Sequence, residues 1–105
     1  MAVADADHDV ARRVAKRWHI PSTFDSPDGL LESSEIDAVA VLVPPQFIAR
    51  LAAKAVESGK HVFCEKPIAF TPAVNEMLID AARRNKRKIQ VAYQKRYDAG
   101  VQYAK

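Results

Sequence analysis

Six apolar residues in a row, Ala38-Val39-Ala40-Val41-Leu42-Val43, follow Asp37 and stop at Pro44-Pro45. An alternating pattern would give a strand one dry face. An unbroken run predicts a strand covered on both faces, as in a parallel sheet. Parallel neighbours need crossover connections, and the sequence supplies them. Phe47, Ile48, Leu51, Ala52, Ala55 and Val56 trace one face of a helix, and Gly59 provides its C-terminal turn. His61-Val62-Phe63-Cys64 reads as the next strand. Thr71 caps and Pro72 opens another helix, with Val74, Met77, Leu78, Ala81 and Ala82 on its buried side. Ile89 to Tyr93 reads as a last strand, and Asp98 to Lys105 as the start of a helix.

Upstream of the run the same alternation holds. Val3-Ala4 is the stub of a strand. A helical stretch from about Asp9 to His19 then recurs at Val10, Val14 and Trp18, and Ile20-Pro21 stops it. Thr23-Phe24 is too short to assign alone. Ser26 caps a short helix with Pro27 at its first position and Leu30-Leu31 facing inward. The expectation is an α/β fold, a parallel sheet with helices on both faces. The chain opens inside a strand and closes inside a helix, which predicts a piece of a domain.

At 105 residues, 49% of them hydrophobic, there is one domain's worth of chain and enough apolar side chain for a core. No apolar run is long enough to cross a bilayer, and the charged opening MAVADADHDV is no signal peptide. The single cysteine, Cys64, has no internal partner, which suits a reducing, cytoplasmic setting. Much of the net charge of +3 comes from Arg83, Arg84, Lys86, Arg87 and Lys88. These read as a helix end, where cations suit the negative pole of the dipole. No aromatic residues interleave with them, so charge alone does not point to a nucleic-acid partner.

Ligands of an open parallel sheet sit beyond the carboxyl ends of its strands. The polar residues falling there are Asp5, the Pro44-Pro45-Gln46 segment, Glu65-Lys66-Pro67 and Gln94-Lys95-Arg96. Asp5 suits the acid that accepts hydrogen bonds from an adenosine ribose; it also suits a helix N-cap, a role open to Asp7. Lys66, directly after an apolar strand and restricted by Pro67, suits a partly desolvated ammonium that trades a proton with a substrate hydroxyl. It equally suits a surface lysine paired with Glu65. His8, His19 and His61 show no metal-ligand spacing. Cys64, Trp18 and Met77 read as packing.

The stretch DAVAVLVPPQFIARLAAKAVESGKHVFCEKPIAFTPAVNEMLIDAARRNKRKIQVAYQKRYD closely resembles the Gfo/Idh/MocA family, which includes glucose–fructose oxidoreductase and inositol dehydrogenases. The opening AVADADHDVARRVAKRWHIP resembles that family's second strand and following helix. The GKHVFCEKP block is the specific part, because strand, Glu-Lys-Pro and helix cap arrive in the family's order and spacing.

The resemblance implies an oxidoreductase using NAD, with NADP as the alternative, on a sugar, inositol or similar polyol. It places the catalytic lysine on Lys66 and the ribose acid on Asp5. The cofactor cleft falls on Val43, Pro44, Glu65, Lys66 and Pro67, with Arg96 on the segment leading from it. It further implies a homo-oligomeric parent with no nucleic-acid or membrane partner. Two departures stand out. Ile48 occupies a position where many members carry histidine, so that contact is expected to be absent. The only glycines are Gly29, Gly59 and Gly100, so there is no G-x-G-x-x-G. Residues 1–105 are therefore expected to be a partial NAD(P)-binding Rossmann domain without its first strand and Gly-rich loop, and without a C-terminal substrate domain. In the doubly wound order the first strand is central. Without it, the facing edges are expected to pair directly or to stay open. The alternative reading is a non-catalytic nucleotide-binding remnant or interaction module of the same fold.

Overall fold

Helix starts follow the side chains that can satisfy orphan N–H groups. Asp7 accepts from the backbone of Asp9 and Val10 and opens α1 (His8–Trp18). Ser26 accepts from Gly29 and opens α2 (Pro27–Glu32). Thr71 accepts from Val74 and opens α4 (Pro72–Arg84), and Asp98 opens α5 (Ala99–Tyr103). Only α3 (Pro45–Glu57) lacks a side-chain cap among these, beginning instead on Pro44-Pro45. The computed structural model describes residues 1–104, so Lys105, the last residue of the expected terminal helix, lies outside the described residues.

Between the helices run β1 (Ala2–Ala4), β2 (Ser22–Phe24), β3 (Ala38–Val41), β4 (His61–Cys64) and β5 (Ile89–Val91). Every pairing is parallel. β1 pairs with β2, and β3, β4 and β5 pair in that order, giving two separate sheets. Tyr93, expected to end the last strand, instead precedes a single 3-10 turn over Gln94–Tyr97. The core lies mainly against the three-stranded sheet, where Ile48, Ala52 and Val56 are wholly buried with Cys64 and Leu78, and Leu31 of α2 joins them.

The facing edges of β1 and β3 do not pair. A cleft of about 650 Å³ separates them, lined by Ala2–Ala4 on one side and Ala38–Val43 on the other. Of the two expected outcomes, the edges stay open. From β2 the chain returns past β1 to reach β3. Right-handed crossovers therefore place α2 on the sheet face opposite α1.

Three expectations are corrected. β3 is covered on one face only: Val41 is buried, whereas Ala38 and Ala40 are exposed and Leu42 is 64% exposed. Register explains this, since Ala40 lies beside Phe63, itself 41% exposed, and both face away from α3 and α4. Trp18 is 66% exposed rather than packed. Eleven residues of α1 span about 16 Å and a three-residue strand about 10 Å, so the last turn overhangs the sheet. Trp18 there carries the Arg17 guanidinium over its ring, 5.5 Å from the centroid. Met77 lies at the margin of the α4 stripe, half exposed, while Leu78 and Ala81 occupy its centre.

The basic cluster does serve a helix end. Arg83 and Arg84 fill the last turn of α4, Lys86 adopts the left-handed conformation that reverses the chain, and Arg87 Nε donates to the Gly59 carbonyl at 2.6 Å.

Candidate functional site at the carboxyl ends of the strands

Because all five strands are parallel within their sheets, the residues that follow them leave by the carboxyl ends. Asp5 follows β1 and is half-buried. Its Oδ1 accepts the Asp7 N–H at 2.9 Å, while Asp7 itself caps α1. The division of labour decides one open question. The cap belongs to Asp7, and Asp5 holds only the turn, so among the described residues its Oδ2 accepts nothing. Arg12 is engaged by Asp9 at 2.7 Å, and that guanidinium holds the Asp9 carboxyl below its ordinary value.

Val43 is half-buried against the core, and Pro44, exposed, begins α3. Ile48 is 0% exposed. In this chain position 48 is thus a core site, which explains why an apolar residue holds it.

Glu65, one residue past β4, donates its N–H to the Val41 carbonyl and turns its carboxylate back onto the Lys66 N–H at 3.1 Å. The Glu65 carboxylate is thus bonded to the Lys66 backbone, and no ion pair to the Lys66 ammonium occurs among the described residues. The Lys66–Pro67 bond is cis. The Lys66 side chain is exposed, contrary to the partial desolvation expected from sequence. The reason is local: the loop rises off the sheet at Glu65, and neighbouring Phe70 is itself 72% exposed. Arg96 lies in the 3-10 turn after β5, exposed, with its carbonyl accepting from Gln102 Nε2. Asp5, Lys66 and Arg96 are joined by no direct contact among the described residues.

These residues fit parts of a dinucleotide. A carboxylate oxygen with a free acceptor at Asp5 suits ribose hydroxyls, and the proline-bounded end of β3 with the Glu65–Pro67 loop suits an adjoining ring. The diphosphate lacks its usual cradle. α1, α2, α4 and α5 begin on their own side-chain caps, α3 begins on two prolines, and no Gly-rich turn precedes any of them. Sequence reasoning missed the open face, with Leu42 and Phe63 exposed near this edge. An apolar run carries no signal of which face will find a neighbour.

The profile of the oxidoreductase family with an NAD-binding Rossmann fold, Gfo/Idh/MocA, matches residues 1–93. An oxidoreductase of Rhizobium meliloti is 40% identical over 92 residues, covering 88% of this chain and 28% of that protein. An inositol 2-dehydrogenase/D-chiro-inositol 3-dehydrogenase of Shouchella clausii is 37% identical over 103 residues, covering 94% and 29%. Among solved structures, a 3-ketoreductase of Actinomadura kijaniata in complex with NADP superposes with a TM-score of 0.83 at 29% identity, covering 88% of this chain and 28% of that one. The chain belongs to the Gfo/Idh/MocA oxidoreductases and has the NAD-binding Rossmann fold of that family. It spans less than a third of the length of these relatives.

Proposed function

We propose that this chain is the later part of the cofactor domain of a dehydrogenase whose substrate is a sugar, an inositol or a similar polyol. The observation that carries the reading is Lys66, set two residues beyond β4 at the strand end where ligands of this fold sit. The inositol-dehydrogenase relative supports the substrate class. The nicotinamide, when bound, supplies the two-electron chemistry. Lys66, as the free amine, takes the hydroxyl proton as the alcohol becomes a carbonyl, and returns it in the reverse direction. Asp5 holds the ribose, and Val43, Pro44, Glu65 and Pro67 shape the cleft beside it. Arg96 marks the way out toward a second, substrate-binding domain. That domain, laid over the exposed Lys66, would exclude water from the reacting groups. The single cysteine supports a cytoplasmic parent, and family resemblance supports a homo-oligomer.

In the full-length parent, Lys66→Ala is expected to cut turnover by roughly 10²–10⁴-fold while leaving cofactor affinity largely intact. Steady-state turnover alongside a cofactor titration tests this. Unchanged turnover under conditions where chemistry limits the rate removes Lys66 from the mechanism. The chain alone is expected to bind NAD weakly and to lack activity, since it has no cradle for the diphosphate.

A further inference from the structure

We propose that the groove between α4 and the outer edge of β5 is a docking site for an acidic peptide segment of a partner protein, which adds to the sheet as a strand parallel to β5. The site lies outside the dehydrogenase reading, since neither Lys66 nor the residues of the cofactor cleft line it.

The main chain sets the geometry. β5 pairs only with β4, with Val62 opposite Ile89 and Cys64 opposite Val91. Val62 donates to the Lys88 carbonyl and Ala92 to the Cys64 carbonyl, so Lys88, Gln90 and Ala92 turn their main-chain groups toward β4. Ile89 and Val91 turn theirs outward. The Val91 carbonyl is taken by the Tyr93 N–H at 2.8 Å, where the chain leaves the edge for the 3-10 turn. The Ile89 N–H, the Ile89 carbonyl and the Val91 N–H remain open among the described residues. A parallel guest uses all three, its residue opposite Gln90 donating to Ile89 and accepting from Val91. An antiparallel guest would aim an N–H at the engaged Val91 carbonyl.

The groove beside this edge measures about 690 Å³. With strands about 4.8 Å apart, a layer about 10 Å thick and about 3.3 Å per residue, it holds about four residues of strand. Ile79 and Ala82 of α4, with Ile89 and Val91, make its walls apolar. Guest residues opposite Ile89 and Val91 are therefore apolar. The one opposite Gln90, whose side chain is exposed on the other face, is polar.

Charge selects the partner. Arg83, Lys86, Arg87 and Lys88 line the groove where β5 begins. Among the described residues their one ion pair is the long contact of Arg83 with Asp80, at 3.9 Å. A parallel guest brings its amino end to these cations, so its leading residues are acidic. A second copy of this chain fits poorly. A two-fold axis would pair the β5 edges antiparallel and set the cations of each copy against Arg96 of the other.

The test uses the chain and its full-length parent with a synthetic peptide, Glu-Asp-Glu-Val-Thr-Ile-Thr. One control replaces the first threonine by proline, removing the N–H meant for Ile89, and another begins Lys-Lys-Lys. Titration calorimetry is expected to give one-to-one binding that the proline peptide lacks and that weakens at least about tenfold for the basic peptide. In the double variant Arg83→Glu/Lys88→Glu, the order of acidic and basic peptides is expected to reverse. At saturation the Ile89 and Val91 amides are expected to exchange at least about tenfold more slowly. Protection of these amides in the free parent overturns the proposal, because the edge is then covered from within. So does an acidic peptide that fails to bind, equal binding of the proline peptide, or binding that leaves the exchange unchanged. Equal protection by a single-stranded oligonucleotide, which brings charge without a peptide backbone, also overturns it. None of these readouts involves turnover, so failure here and failure of the Lys66 assignment are distinguishable.

Discussion

The Lys60 ammonium donates to the Ser33 carbonyl at 2.6 Å, joining the entrance of β4 to the loop after α2 across 27 residues of sequence. Lys60 is 8% exposed and is the one buried charged side chain among the described residues. A charged donor on a single carbonyl is among the stronger hydrogen bonds, and removing it strands a half-buried acceptor. Lys60→Met is therefore expected to cost about 1–3 kcal/mol in urea unfolding. Lys54→Met, which breaks the half-exposed pair with Asp28, is expected to cost at most about 1 kcal/mol. A Lys60 variant no worse than the Lys54 variant would show that water satisfies Ser33 equally well.

Asp5 sets the expected cofactor choice of the parent. Its free carboxylate oxygen suits ribose hydroxyls and opposes a 2′-phosphate, so NAD should be preferred over NADP. The 3-ketoreductase neighbour holds NADP, so the opposite preference occurs on a similar fold. Asp5→Ser is expected to lower the NAD:NADP ratio of kcat/KM by about tenfold, equivalent to about 1.4 kcal/mol. A parent that prefers NADP from the outset would mean that Asp5 serves only its turn with Asp7.

Cys64 provides a pH signature. Its Sγ is buried in β4, 3.8 Å from the Gln90 carbonyl, and burial, with Glu65 beside it, pushes the thiol up from its ordinary value. The folded chain thus keeps a proton that the unfolded chain loses from about pH 8.5 upward. Between those two values the unfolded state binds fewer protons, so stability is full below the ordinary thiol value and falls as pH rises above it. Urea midpoints between neutral and alkaline pH should decline more steeply for the wild type than for Cys64→Ala. Parallel slopes would show that the thiol does not ionise differently in the two states.

Gly59 ends α3 with φ +77°, and an added Cβ would meet only the Arg87 side chain, with Nη2 at 3.8 Å and Nε at 4.0 Å, both ordinary contact distances. Space is available, so the penalty for Gly59→Ala is one of backbone conformation, about 1–2 kcal/mol. A thermal melt measures it. A neutral substitution would indicate that the turn relaxes out of the left-handed region.

Much of this was legible in the chain. Ser26-Pro27 and Thr71-Pro72 announced α2 and α4, Gly59 marked the end of α3, and His61–Cys64 has the bounds read from sequence. Local chemistry decides those features, and a single sequence carries it. β2 was unreadable because three residues have no period; only pairing with β1 makes them a strand. The exposure of Trp18, Leu42 and Phe63 was equally hidden, because it depends on which surfaces find a neighbour in space. At the site, the residue types were visible in advance, but whether Asp5 or Asp7 caps α1 became clear only from hydrogen bonding.

The uneven placement of the core has a consequence for how the chain assembles. All of the main cluster lies from Leu31 onward, whereas α1 buries only Ala11 and Ala15. β3, α3, β4, α4 and β5 pack against near neighbours in sequence, so their loops close at little entropic cost. Folding is expected to nucleate there, with β1, α1 and β2 docking afterward onto a finished surface. During synthesis, amino end first, β1, α1 and β2 would thus stay unsettled until the residues around Ile48 and Leu78 had been made.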